Sequence, residues 1–214
     1  MKVSGITIGI IELILFYFFS KSLREKHTNL NNIDTIPYYW IMMTILTGIW
    51  ESSYILNHKK IIKMSSDFLK EKKNVWTSKF DLYYIIPWNL SKIFYGEYGA
   101  YADKEYMTNK DIWSRVVEGT HAVLCGLFSL GAIVSTIYNN EYLYYIMSTI
   151  SMSTQLMNSL MYMMEYYIQI KDKDSINYNS ASFPCGNALS KRPFMYVNLL
   201  WTIFPSYILF KSII

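Results

Sequence analysis

The sequence predicts an all-α membrane protein: a single domain, residues 1–214, that crosses the bilayer with five helices. Hydrophobic residues make up 52% of the chain and aromatic residues 17%, with a mean hydropathy of +0.12, more apolar material than a soluble domain of this length needs. The apolar residues gather into five stretches, each near the ~20 residues a helix needs to cross ~30 Å of hydrocarbon. Inside those stretches the runs are continuous and do not alternate, which argues against a strand barrel.

The first stretch, about Val3 to Ser20, follows Lys2. Its apolar run is longer than a signal-peptide core and no small-x-small cleavage site follows, so it is expected to remain as an anchor. The second runs about Tyr38 to Leu56, the third Trp113 to Tyr138, the fourth Tyr142 to Ile170 and the fifth Phe194 to Phe210. The connection from His58 to Ile112 starts basic and polar, then turns aromatic in Phe80-Asp81-Leu82-Tyr83-Tyr84-Ile85-Ile86-Pro87-Trp88. Tyr and Trp favour the membrane interface, so this connection is expected to lie at the bilayer surface and to lid the helices. The loop from Lys171 to Lys191 contains Asn, Ser, Pro and Gly and reads as irregular.

Charge and cysteine usage narrow the function classes. The net charge is +4, and the basic residues cluster in the connections, as in Lys59, Lys60 and Lys63. They read as flanks at lipid headgroups, and no fold-level context for nucleic-acid binding accompanies them. Basic residues flank both sides of several spans, so the positive-inside count gives no orientation. Cys125 falls in a span and Cys185 in a loop, at different depths, and no metal-ligand spacing is present.

Four of the five stretches carry one glutamate each: Glu12, Glu51, Glu118 and Glu165. A carboxyl group in hydrocarbon is costly, so each is a candidate functional residue. Glu51 follows Thr47-Gly48-Ile49-Trp50, and Glu118 stands one helical turn before His121 on the same face. Glu165 lies late enough in its span to reach the headgroups, and Glu12 reads as helix packing or as an interfacial group. His27 and His58 lie in polar flanks. The Met-rich fourth stretch (Met147, Met152, Met157, Met161, Met163, Met164) reads as adaptable packing, which would also suit a flat ligand.

The run Val117-Glu118-Gly119-Thr120-His121-Ala122-Val123-Leu124-Cys125-Gly126-Leu127-Phe128-Ser129-Leu130 resembles the third-helix signature of sterol Δ8-Δ7 isomerases, the emopamil-binding protein family of EXPERA-domain proteins. Further pieces occur in the family's order. Glu97-Tyr98 followed by Asp103 and Tyr106 resembles its segment between helices two and three; Gln155 and Tyr162 resemble a Gln and a Tyr of its fourth helix; Asn198-Leu199-Leu200-Trp201 with Pro205 resembles its fifth-helix Asn-x-x-Trp-x-x-x-Pro motif. The resemblance covers about Ile36 to the C-terminus.

The chain departs from the family pattern at four positions. Thr47 stands where a His is usual, four residues before the second-helix Glu; His121 stands where a Thr is usual; Glu105 replaces a basic residue, and Ser159 a fourth-helix Asp. The pattern suggests an imidazole moved across the cavity from the second helix to the third.

The resemblance implies five helices enclosing a sterol-sized cavity, a sterol substrate, no cofactor, homodimers, and the endoplasmic reticulum membrane. The implied catalytic set is Glu51, Glu118, His121, Asn198 and Trp201. The implied substrate-binding set is Thr47, Tyr98, Asp103, Tyr106, Gln155, Ser159 and Tyr162. Moving a ring double bond from C8=C9 to C8=C7 needs a proton delivered to C9, a cation at C8 and a proton removed from C7. Glu51 or Glu118 suits the acid, His121 the relay, Trp201 the π face toward the cation, and Asn198 the orientation of a carboxyl group or of Trp201. The alternatives are a non-catalytic protein of the same fold that binds sterols or cationic amphiphiles, and a structural or trafficking membrane protein.

Overall fold

A computed structural model describes residues 1–102, 112–169 and 194–212. Asp103, Glu105, Tyr106 and Cys185 lie outside the described residues, and so do the side chains of Glu118 and Glu165. The fold is mainly helical, with one small two-stranded sheet, and six helices are described: α1 (Gly5–Lys26), α2 (Thr35–Glu71), α3 (Pro87–Glu97), α4 (Ile112–Ile137), α5 (Glu141–Gln169) and α6 (Phe194–Lys211). Among the described residues two helices, α1 and the Gly119–Ile137 part of α4, are long and apolar enough to cross a membrane.

Local chemistry sets the helix ends. Ser4 caps α1 by accepting from the Thr7 amide at 3.3 Å, satisfying one of the donors a helix start leaves open. Pro37 sits in the first turn of α2, where a missing N–H costs nothing, and Pro87 opens α3 in the same way. Lys72 ends α2 in the left-handed region with φ 53°. Asn140 Oδ1 accepts from the Leu143 amide at 3.0 Å at the start of α5. Inside α6, Pro205 supplies no amide hydrogen to the carbonyl of Trp201, one turn before it.

Two features differ from the sequence expectation. Helix α2 does not end near Leu56 but continues to Glu71, because Ile61, Ser65 and Phe68, spaced at i, i+4 and i+7, are all buried while lysines take the outer face. At 37 residues it is roughly 55 Å long, well beyond the ~30 Å of a hydrocarbon layer. Residues 2–4, expected to lead into or begin the first helix, form strand β1 (Lys2–Ser4), which pairs antiparallel with β2 (Lys79–Asp81) in the register Lys2↔Asp81, Val3↔Phe80, Ser4↔Lys79. The first helix accordingly starts at Gly5 and runs on to Lys26, past the expected end at Ser20.

Successive long helices run antiparallel. Tyr38 of α2 donates to the Ser20 carbonyl at 2.6 Å, and at the other end of α1 the Ile6 amide donates to the Val75 carbonyl at 2.9 Å. Between α2 and α4 the backbones touch: a Cβ placed on Gly48 would lie 3.0 Å from the Gly126 Cα, so two glycines are needed at this crossing. Helices α4 and α5 meet through Ser129 and Ser151, whose hydroxyls are 2.9 Å apart, with Ser151 also 2.9 Å from the Cys125 carbonyl.

The main core gathers Tyr38, Trp40, Ile41, Met42, Ile133, Met152 and Ile208, with Trp201 and Phe204 packed against it. A second cluster of Ile8, Phe68, Leu90, Ile93 and Ala100 lies under α3. The outside is also apolar. Phe18 and Phe19 of α1, Leu127 of α4, Met157, Met161 and Met164 of α5, and Ile203 and Phe210 of α6 are all exposed, so large apolar side chains reach the surface on four helices. Of the Met-rich face, Met152 is buried and Met147 packs against Gly131, so these methionines divide between core and exterior.

Candidate functional site

Four residues of α2, Trp40, Thr44, Thr47 and Glu51, recur at i, i+4, i+7 and i+11 and form one stripe. Gln155, Ser159 and Tyr162 make a matching stripe on α5. The two stripes begin at the same level. The buried indole of Trp40 donates from Nε1 to Gln155 Oε1 at 2.8 Å, and Gln155 Nε2 donates to Thr44 Oγ1 at 3.4 Å. Thr44 and Thr47 turn their own hydroxyls back to helix carbonyls, to Trp40 O and Thr44 O, both at 2.9 Å. Every polar atom of the Gln155 amide side chain is thereby engaged in a place where an unmet one would cost ~1–3 kcal/mol.

Ser159 joins α5 to α6. Its Oγ lies 3.1 Å from Asn198 Oδ1, 3.2 Å from the Asn198 carbonyl and 3.1 Å from Thr202 Oγ1, while Asn198 Nδ2 donates to the Ser159 carbonyl at 3.4 Å. A hydroxyl has one hydrogen, so Ser159 donates to an Asn198 oxygen and accepts from Thr202. Asn198 is thus held by Ser159, whereas the sequence suggested a carboxyl group or Trp201 as its partner. Trp201 stands edge-on to Trp40, ring centroids 4.6 Å apart, and Phe204 stacks on Trp40 at 4.5 Å.

At the other end of the stripes α3 closes over them. The Tyr95 hydroxyl donates to Glu51 Oε1, and the Tyr98 and Tyr162 hydroxyls hydrogen-bond one another. Tyr95 also stacks on Tyr54 at 5.0 Å. Burial of the Tyr95 hydroxyl, followed by the Glu51 carboxyl group beside it, pushes this phenol well above its ordinary pKa, so it stays a donor. Of the expected site residues, Thr47 and Glu51 therefore share one face of α2, Gln155, Ser159 and Tyr162 share one face of α5, and Tyr98, Asn198 and Trp201 reach these two faces from α6 and from the turn after α3. His121 is half-buried on α4, with Gly119 and Gly126 of the same helix packed against α2. Glu118 lies within the same helix.

The sequence alone does not single out Trp40, Thr44, Tyr95 and Thr202, which the structure adds to this column. The period of the α2 stripe was the available signal for Trp40 and Thr44, since it leads from Glu51 back through Thr47. Tyr95 sits in a segment read only as an interfacial lid.

Glu12 stands apart from this column. It is 3% exposed, and its Oε1 accepts from Trp50 Nε1 at 3.2 Å, fastening α1 to the back of α2. Two openings are described in addition. One of about 470 Å³ lies between α2 and α4 around Leu56, Lys59, Lys60 and Thr120, and one of about 50 Å³ lies by Asn32, Asn140 and Tyr144. No group of three or more His, Cys, Asp or Glu side chains suited to a metal ion occurs among the described residues.

No family model, curated protein or solved structure matches the chain.

Proposed function

We propose that the chain is a five-helix integral membrane protein of the endoplasmic reticulum that isomerises a sterol Δ8 double bond to Δ7, with α1, α2, α4, α5 and α6 as the spanning helices. The observation that carries the reading is the convergence of Glu51, Tyr95, Gln155, Asn198 and Trp201 on one interior seam between α2, α5 and α6. The seam holds the residue types that an acid-started reaction through a carbocation uses, a carboxyl group and indole rings, about three turns of α2 apart.

In this reading a carboxylic acid, Glu51 or Glu118, delivers a proton to C9. The cation at C8 lies toward the face of Trp201, a contact worth ~2 kcal/mol once water is excluded. His121 takes the proton from C7 and the double bond settles at C8=C7. One proton enters and one leaves, so the reaction needs no redox partner and no dissociable cofactor. Tyr95 holds Glu51 in place by its hydroxyl, and the Ser159–Asn198 bonds fix the turn of α6 that carries Trp201.

A second reading is a protein of the same fold that binds sterols or cationic amphiphiles without turnover. The Trp40–Trp201 pair favours it, because aromatic walls recognise a cation whether or not a reaction follows. Expression in yeast lacking its own Δ8-Δ7 isomerase, with sterols read by gas chromatography, tests the proposal. Δ7 sterols are expected to appear. Persistent Δ8 sterols alongside well-folded protein that binds amine amphiphiles would replace isomerisation by the second reading.

A further inference from the structure

The opening of about 470 Å³ lies where α2 passes from its apolar half into its basic half. Its lining changes character along the helix axis: Ile55 and Leu56, then His58, Lys59 and Lys60, with Thr120 of α4 across from them. Leu56 is 74% exposed and Lys59 and Lys60 are exposed beside it. The Lys92 pKa on α3 is lowered by burial and then by the charge of Lys60. Lys92 Nζ donates to Asn89 Oδ1 at 3.0 Å. No acidic side chain is among the described residues that line the opening.

Cations with no acidic partner among the described residues that line the opening, beside exposed aliphatic surface, match an anion carrying a hydrocarbon chain. We propose that this opening binds the phosphate group of an anionic amphiphile, with Lys59 and Lys60 on the phosphate, Thr120 donating to it, and the hydrocarbon laid on Ile55 and Leu56. The lining of the opening shares no residue with the seam that holds Glu51 and Trp201, and the binding does not depend on isomerisation. Phosphate is the shared chemistry of two sources, a membrane lipid and a soluble ion, and the hydrocarbon-facing residues favour the lipid.

The test uses the full chain in phosphatidylcholine nanodiscs doped with phosphatidic acid, with retained lipid counted by native mass spectrometry and affinity read by titration of the doped fraction. Wild type is expected to retain phosphatidic acid. Lys59→Gln with Lys60→Gln is expected to weaken it about 30-fold, while Lys2→Gln with Lys79→Gln, an equal charge loss on the two strands, leaves it unchanged. Leu56→Asn is expected to weaken the lipid without altering elution of the protein. Unchanged affinity in the Lys59/Lys60 variant, or equal loss in the strand variant, would overturn the site. Displacement of the lipid by inorganic phosphate, together with phosphate binding in undoped nanodiscs, would overturn the lipid assignment and leave a soluble anion as the ligand.

Discussion

The indole nitrogen of Trp40 lies 2.8 Å from Oε1 of Gln155, joining two residues more than a hundred positions apart in the chain at the level where Trp201 meets the same indole. This bond orients the Gln155 amide and sets which face of Trp40 is left for Trp201 and Phe204.

Gln155→Leu should leave the buried indole N–H without an acceptor and destabilise the protein by ~1–3 kcal/mol. Adding Trp40→Phe should cost less than the sum of the two single changes, since the orphaned donor is then gone. Equilibrium unfolding in detergent reads both. Strict additivity would mean that the two side chains do not depend on one another.

The glycine crossing sets a sharp contrast. A Cβ at position 126 would meet the Gly48 Cα at 3.0 Å, and backbone cannot yield, so Gly126→Ala should cost ~1–3 kcal/mol. At Gly131 the new methyl would meet Met147 Sδ at 3.3 Å, a flexible neighbour, and Gly131→Ala should cost less than ~1 kcal/mol. Thermal denaturation of the two variants side by side checks the order.

Glu51→Gln keeps shape but carries no exchangeable carboxyl proton, and turnover in the yeast sterol assay should fall by ~100-fold or more. Tyr95→Phe removes the donor that holds Glu51 and should reduce turnover by ~10-fold, the worth of one hydrogen bond of ~1.4 kcal/mol. Full activity of Glu51→Gln in well-expressed protein would remove Glu51 from the proton path.

Trp201→Leu should weaken amine-bearing amphiphiles about 30-fold, equivalent to ~2 kcal/mol of cation–π stabilisation, while Trp40 keeps its bond to Gln155. Binding to purified protein by displacement of a labelled amine reads this. An unchanged affinity would place the cation away from the indole.

Glu97, at the end of α3 and outside the proposed spans, is raised from its ordinary 4.5 to about 7 by burial, partly offset by the Val75 amide that donates to it at 3.1 Å. The folded protein therefore holds this proton more tightly than the unfolded chain. Its contribution to stability is full below about 4.5 and is lost as pH rises toward about 7, after which it is flat. Glu97→Gln should abolish that fall, measured as unfolding midpoints across the pH series.

The sequence makes the long helices visible because each is a sustained apolar run, yet their ends depend on partners that no local window contains. Helix α2 outlasts its apolar half since Phe68 joins the second cluster under α3, Ile61 packs with Tyr54 and Ser65 is buried, and the intervening lysines hide that stripe from a hydropathy reading. Strand β1 is three residues whose partner is more than seventy positions away, so Val3 reads locally as part of the apolar run. The spacing of Gln155, Ser159 and Tyr162 is legible in one segment, whereas Trp40, Thr44, Thr202 and Tyr95 acquire their roles only when three other elements arrive. A tyrosine in an aromatic loop carries no local mark that it will reach a glutamate more than forty residues earlier.

The small sheet imposes a parity rule on the chain. Strand β1 before α1 and strand β2 after α2 pair directly, so both lie on one side of any bilayer, and a chain that crosses in α1 must return in α2 before the strands can meet. At the opposite end Asp34, at the start of α2, forms an ion pair with Lys211, at the end of α6. Between those two residues the number of crossings must again be even, which the proposed spans α2, α4, α5 and α6 would satisfy together. Applied to a chain that crosses in α1, the two closures leave an odd total, so its two termini emerge on opposite sides, and reporter tags at Met1 and Ile214 would be modified in different compartments.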